Sequence, residues 1–196
     1  MVRRMTLLVA LLLVPATPAE AGQVNIEIHD SFFMPDDIGN QVGDTVRWFS
    51  DGSGARHNVR AEGGIFRSGD PTTAPIDFSR VFSAGAFHYF CEVHRFAGMD
   101  GFVRIPVIIG RAPDGLRFTV RWATDASETG SVYDVQFKVG TGDWRNWKRD
   151  TAAFSGVFGT NGNPVRVRDG VRYSFRARSQ EGSAVSRWSP VRRFTP

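Results

Sequence analysis

Apolar and polar residues alternate with a period of two in both halves of this chain, and no other feature constrains its fold as strongly. In the first half the runs are Val24-Asn25-Ile26-Glu27-Ile28 and Thr45-Val46-Arg47-Trp48. In the second they are Leu116 to Trp122, Tyr133 to Val139 and Tyr173 to Arg178. Successive side chains of a strand point to opposite faces, so each run reads as a strand with one face in a core. Phe78 to Phe82 and Phe87 to Phe90 are aromatic-rich and are bounded by Ser or Gly turns. No stretch sustains a helical period. Many short strands separated by turn signals predict an all-β chain built as sandwiches or barrels. The 196 residues leave room for one large domain or two small ones. A turn-rich break at Gly110-Arg111-Ala112-Pro113-Asp114-Gly115 favours two.

The charge changes across that break. Residues 22–106 carry 7 Arg and 11 Asp+Glu, a net of −4, and residues 107–196 carry 15 Lys+Arg and 8 Asp+Glu, a net of +7. All four histidines and the single cysteine lie in the first part. The expected divisions are residues 1–21, 22–110 and 111–196.

The first of these is a leader. Arg3-Arg4 precede an apolar run from Met5 to Val14, Pro15 ends it, and Ala19-Glu20-Ala21 follows. A basic start, a short apolar core and a small-x-small site predict a secretory signal peptide cleaved after Ala21. The run is too short for a membrane span, which needs about 20 apolar residues, so no transmembrane segment is expected in the mature chain. Its location is then periplasmic or extracellular. That compartment is oxidising, and Cys91 has no partner for a disulfide within the chain. A lone exported cysteine is buried, paired between chains, or a ligand.

The sequence around Cys91 favours a ligand. Cys91-Glu92-Val93-His94-Arg95-Phe96-Ala97-Gly98-Met99 puts a thiolate, an imidazole and a thioether in nine residues. His57 begins a strand-like stretch upstream. His57, Cys91 and His94 form a His2Cys set with Met99 as a weak fourth donor, the ligand set of blue-copper electron-transfer sites. Structural zinc prefers closed Cys/His sets without thioether. Phe90 and Glu92 flank Cys91 where an oxygen-reducing copper cluster would need histidines, and four histidines are too few for one. His29 and His88 read as ordinary satisfied or surface histidines, Met34 as packing, and Asp36-Asp37 as a solvated turn.

These residues sit in a wider pattern. Phe33-Met34-Pro35, Val42-Gly43-Asp44-Thr45-Val46-Arg47-Trp48, His57-Asn58-Val59, Phe78 to Phe82, Gly85 to Phe90, the Cys91–Met99 loop and Gly101-Phe102-Val103 together resemble the plastocyanin/pseudoazurin branch of the cupredoxins, over about residues 24–106. The resemblance implies an eight-stranded Greek-key sandwich holding one copper ion. It implies that His57, Cys91, His94 and Met99 bind the metal and that Asn58 ties the ligand loops by hydrogen bonds. It also implies electron passage through His94, inside an apolar rim expected at Phe32, Phe33, Pro35, Phe96 and Ala97. Val93 departs from the pattern, which usually has proline there.

The second half resembles a fibronectin type III domain. Trp122, Tyr133-x-Val135-x-Phe137, Trp147, Tyr173-x-Phe175-x-Ala177 and Trp188-Ser189-Pro190 carry the likeness. It implies a seven-stranded, immunoglobulin-like sandwich without catalytic role, with the Tyr173 hydroxyl bonded back to the preceding turn. Arg166, Arg168, Arg172, Arg176 and Arg178 place positive charge on one sheet surface. That is either a solvated face or a docking surface for an acidic partner or polyanion; nucleic acid is not expected.

The functional expectation is an exported mononuclear copper protein that shuttles single electrons between transient redox partners, with an appended interaction module and no enzymatic activity. The alternative is a copper-binding protein for homeostasis or delivery.

Overall fold

The computed structural model describes residues 21–52, 54–111, 117–127 and 129–196; the expected leader, and most of the turn beyond Arg111, lie outside the described residues. The first sandwich contains β1 (Gln23–Ile28), β2 (Phe33–Met34), β3 (Asp37–Gly39), β4 (Thr45–Ser50), β5 (Arg60–Ala61), β6 (Ile76–Val81), β7 (Gly85–Phe90) and β8 (Asp100–Ile105). The second contains β9 (Ile108–Arg111), β10 (Phe118–Arg121), β11 (Val132–Val139), β12 (Arg145–Thr151), β13 (Ser155–Phe158), β14 (Tyr173–Glu181), β15 (Ala184–Val185) and β16 (Arg192–Phe194). Each alternating run falls on a strand over most of its described length, with Arg117 and Trp122 just outside β10. The described residues hold no α-helix, only short 3-10 turns at Glu62–Gly64 and Arg95–Ala97.

In the first sandwich, one sheet has the order β2-β1-β4-β6 and the other β3-β8-β7-β5. β1 runs parallel to β4 and β3 parallel to β8, while the remaining pairs are antiparallel. The alternation decides which side chains meet between the sheets. Ile26, Val46, Trp48, Tyr89 and Val103 all point inward and are buried. Trp48 packs against Phe66, Phe78, Phe82 and Tyr89 with ring centroids 5.3–6.1 Å apart. Each such aromatic removes a large apolar surface from water, worth about 2–3 kcal/mol. Gly101 in β8 lies opposite Tyr89 in β7, and the Tyr89 hydroxyl crosses it to donate to the Asp36 carbonyl, 3.1 Å away.

Strand pairing passes to the second sandwich between Ile105 and Ile108, because β9 already pairs with β10. A three-stranded sheet, β13-β10-β9, faces a five-stranded one in which β12-β11-β14 is extended along one edge by both β15 and β16. Phe118, Phe137, Phe158, Tyr173 and Phe175 fill the space between them. Tyr173 opens β14, and its hydroxyl accepts a hydrogen bond from the Arg168 backbone N–H at 3.0 Å, the bond expected from sequence.

The two sandwiches are fastened together rather than strung on a linker. Ala84 N–H donates to the Trp122 carbonyl at 2.7 Å, and Ala86 and Arg187 exchange a pair of 3.0 Å backbone bonds. Arg80 of β6 forms an ion pair with Glu181 of β14, and Glu62 forms one with Arg187. A single apolar cluster runs through both halves. The hydrogen bond from Arg187 holds the Glu62 carboxyl below the ordinary value of 4.5. A depressed carboxylate contributes stability that is complete above the ordinary value and lost as pH falls through the folded one. The melting-temperature gap between the native chain and Glu62→Gln should therefore narrow as the medium is acidified from neutrality past the carboxylate range.

Candidate metal centre

β7 ends at Phe90, and the chain turns at Cys91 into the loop that leads to β8. The turn is pinned by backbone bonds: Cys91 N–H donates to the Met99 carbonyl at 3.1 Å, and Met99 N–H to the His94 carbonyl at 3.3 Å. Gly98 closes it with φ of 83°, a conformation that suits glycine. His57 enters from the opposite side, held by two 2.9 Å backbone bonds to Thr72.

These elements bring the sequence-expected ligands together. The Cys91 sulfur lies 3.9 Å from His57 Nδ1 and 3.7 Å from His94 Nδ1, and the three donor atoms all fall within 4.8 Å of one another. Metal bonds of about 2.0 Å to nitrogen and 2.3 Å to sulfur place N and S about 3.7 Å apart when they meet at 120°, and about 3.5 Å apart at the tetrahedral angle. The observed separations are of the size that a single ion between the donors requires. Cys91 and His57 are buried, while His94 is partly exposed. The His57–Cys91–His94 cluster is able to hold one copper ion. The thiol is soft and both imidazoles present their Nδ1 atoms, a donor set that suits copper.

Burial first, and then the charge of His94, push the His57 imidazole below its ordinary value. It is therefore neutral at pH 7, with a ring nitrogen free to bind metal. Met99 is fully buried beside the cluster in the chain, bonded through its backbone to both Cys91 and His94.

Asn58 joins the segment after His57 to the loop after Cys91. Its Oδ1 accepts the Glu92 backbone N–H at 2.9 Å, and its Nδ2 donates to the Gly69 carbonyl at 2.9 Å and to the Glu92 carboxylate. That carboxylate was not singled out from sequence. It also accepts from Arg60 at 2.6 Å and from Arg67 at 2.7 Å. Burial pushes the Glu92 carboxyl up, but the hydrogen bonds from Arg60, Arg67 and Asn58 outweigh it and hold the group at about 2. The only sequence clue was a charged residue directly after the cysteine, since its partners stand 25–34 positions away.

The rim residues divide. Phe96 is fully exposed, Phe32 and Pro35 are exposed, and Ala97 lies on the surface. Phe33 is not a rim residue: it is only 3% exposed, because the alternation in β2 turns it inward, edge-on to Tyr89 with ring centroids 5.0 Å apart. Met34 takes the outward position instead. A groove of about 560 Å³ runs beside Phe96, lined in part by Arg60, Glu62, Phe90 and Arg95. His88 bonds to Asp100 at 2.8 Å and stacks on Phe102. His29 stacks on Phe32. Asp37 pairs with Arg104.

The five arginines of the second sandwich do not share one sheet surface, because only Arg176 and Arg178 lie on a strand, β14, while the other three precede it. Arg166, Arg168 and Arg172 are exposed. Arg176 is stacked between Trp144 and Trp188, 4.2 and 4.7 Å from their ring centroids. Arg178 lies over Trp188 and pairs with Asp134.

No family model matches the chain. Solved structures do resemble it. Amicyanin from Paracoccus versutus is 26% identical over 46% of this chain and 85% of its own, with a TM-score of 0.35. A purple cupredoxin from Nitrosopumilus maritimus is 25% identical over 43% of this chain and 98% of its own, TM-score 0.35. The Cu(I) form of an amicyanin mutant is 26% identical over 43% of this chain and 82% of its own, TM-score 0.37. At scores of this size the donor geometry, not the superposition, bears the functional reading. Among the described residues no helix is long and apolar enough to cross a membrane.

Proposed function

We propose that the chain is an exported, mononuclear blue-copper protein whose first sandwich is a cupredoxin domain that carries single electrons between transient redox partners. The observation that carries this reading is the His57–Cys91–His94 donor triangle, with sulfur–nitrogen separations of 3.7 and 3.9 Å. Met99 would supply a fourth donor, its thioether. Copper, when bound by these residues, would supply one-electron exchange between Cu(I) and Cu(II). The chain's own residues do the rest. The two sheets hold His57 and Cys91 in a water-poor interior. The partly exposed His94 is the path by which electrons enter and leave. The proposed role is that of a carrier, not an enzyme.

The test is a visible spectrum of the full chain after addition of Cu(II). An intense band that ascorbate bleaches and ferricyanide restores supports the carrier. A folded protein that binds copper without reversible cycling supports homeostasis or delivery.

The exposed Phe96, with Pro35 and Ala97, forms the contact rim for partners, a small apolar patch suited to brief encounters. Phe96→Asp should lower the electron-transfer rate to a redox partner about tenfold and leave the band unchanged. Stopped-flow kinetics checks this, and equal rates would remove Phe96 from the rim.

The second sandwich is the interaction module, of fibronectin type III kind. The three-stranded sheet facing β12-β11-β14 and the Tyr173–Arg168 bond support that reading; the strands number eight rather than the expected seven because two short strands, β15 and β16, share the edge beside β14. An acidic partner or polyanion would meet Arg166, Arg168 and Arg172. Binding to a model polyanion such as heparin should then weaken steeply with salt; salt-independent binding would exclude this electrostatic docking.

A further inference from the structure

We propose that Glu92 is a positioning residue whose side chain clamps the metal-binding loop in its ligand geometry before any metal arrives. The inference rests on the copper reading above and extends it to a residue that touches no metal.

Three observations converge. First, Glu92 immediately follows Cys91, and Asn58 immediately follows His57. The two residues grip each other twice, once from the Glu92 backbone N–H to Asn58 Oδ1 and once from Asn58 Nδ2 to the Glu92 carboxylate. This closed ring fixes the spacing of the two buried ligands. Second, the other carboxylate contacts come from β5 and from the stretch that faces it. Arg60 of β5 donates to Oε1 at 2.6 Å, and Arg67 donates to Oε2 from both Nε and Nη2, at 2.8 and 2.7 Å. Arg67 is itself tied to Asp70 at 2.7 Å. Backbone pairing already sets Arg60 against both Arg67 and Phe90, and the Glu92 carboxylate carries that three-way junction past the end of β7 into the loop that holds Cys91 and His94. Third, the residue between Glu92 and His94 supplies no hold of its own, for Val93 is half exposed.

The physical consequence is preorganisation. A loop that must order itself on binding loses affinity to the ordering entropy, whereas a loop already braced does not. Charge-assisted bonds to a single acceptor are the stronger kind, and the carboxylate is only 21% exposed, so water competes weakly for it.

The experiment compares the native full chain with Glu92→Ala and Glu92→Gln. Copper affinity, read by competition with a chelator, should fall 10–100-fold in Glu92→Ala, the range for residues that support metal ligands. Glu92→Gln keeps an acceptor for Asn58 and should recover part of that loss. In the metal-free protein, amide exchange at residues 91 and 92 should speed up at least tenfold in Glu92→Ala, while amides of β11 and β14 keep their protection. A purely structural role would lower protection in both sandwiches together and overturn the proposal. So would copper affinity within twofold of native, or unchanged exchange in the loop. If Glu92→Ala fails to fold, Arg67→Met carries the same comparison. The exchange measurement needs no metal, so a native chain that takes up no copper would refute the copper reading while the clamp was still tested.

Discussion

Replacing Cys91 with serine should abolish the intense visible band of the copper-loaded chain outright, while the protein stays folded. The band of such a site arises from charge transfer between a thiolate and Cu(II), and Cys91 is the only cysteine in the sequence. A serine hydroxyl is a hard, weakly acidic donor with no comparable transition and little affinity for a soft ion. Its oxygen is smaller than the sulfur it replaces, so it enters the fully buried position without a clash. The two imidazoles remain 4.9 Å apart between ring centroids and retain residual copper binding of a different colour. Spectra of the native and Cys91→Ser chains, recorded beside far-ultraviolet circular dichroism, check the prediction. An undiminished band in the variant would place the copper elsewhere.

The second large effect is expected at Gly101, on stability rather than colour. A Cβ at this position would lie 2.2 Å from the Asp36 carbonyl oxygen and 2.5 Å from the Tyr89 hydroxyl. Neither neighbour can step aside. The first is backbone whose residue leads into β3, and the second belongs to a fully buried ring wedged against Trp48 and Phe33. Gly101→Ala must spread β8 from β3 or push Tyr89 off its hydrogen bond. Overpacking of this kind costs about 3 kcal/mol, which lowers the melting temperature by roughly 6–12 °C in a chain of this size. Gly110→Ala is the control: it makes the same change in a strand where a Cβ meets nothing within 4 Å, and should alter stability by less than about 0.5 kcal/mol. Thermal unfolding of the two variants decides the matter.

The sheets were legible because the period of two is a local property. Tyr133, Val135 and Phe137 could be assigned to a core without knowing what they touch, and they are buried together in β11. The donor set was legible for a related reason. Cys91, His94 and Met99 lie within nine residues, so one loop delivers three of the four proposed ligands, and the fourth carried a strand context of its own. Phe33 shows where the reading stops. Proximity in sequence to Phe32 and Pro35 put it in the rim, but the pleat sends alternate residues to opposite faces, and Phe33 falls on the inner one. Glu92 shows a different limit. Its neighbours in sequence do not distinguish it from a solvated surface acid, and its meaning comes from Asn58, Arg60 and Arg67, which only folding brings within reach.

The sequence alone determined the all-β character of the described chain, the alternation that fills its cores, and the donor chemistry of the Cys91–Met99 loop, because each depends on residue type and short spacing. Tertiary structure decided how His57 meets Cys91 across 34 positions and which aromatic residues face solvent. It also decided that the two sandwiches share backbone bonds and ion pairs through Ala84, Ala86, Arg80 and Glu62. Those contacts join residues separated by as many as 125 positions. No local pattern encodes such pairings; they follow from which sheet faces and edges remain uncovered once each sandwich has closed on its own core.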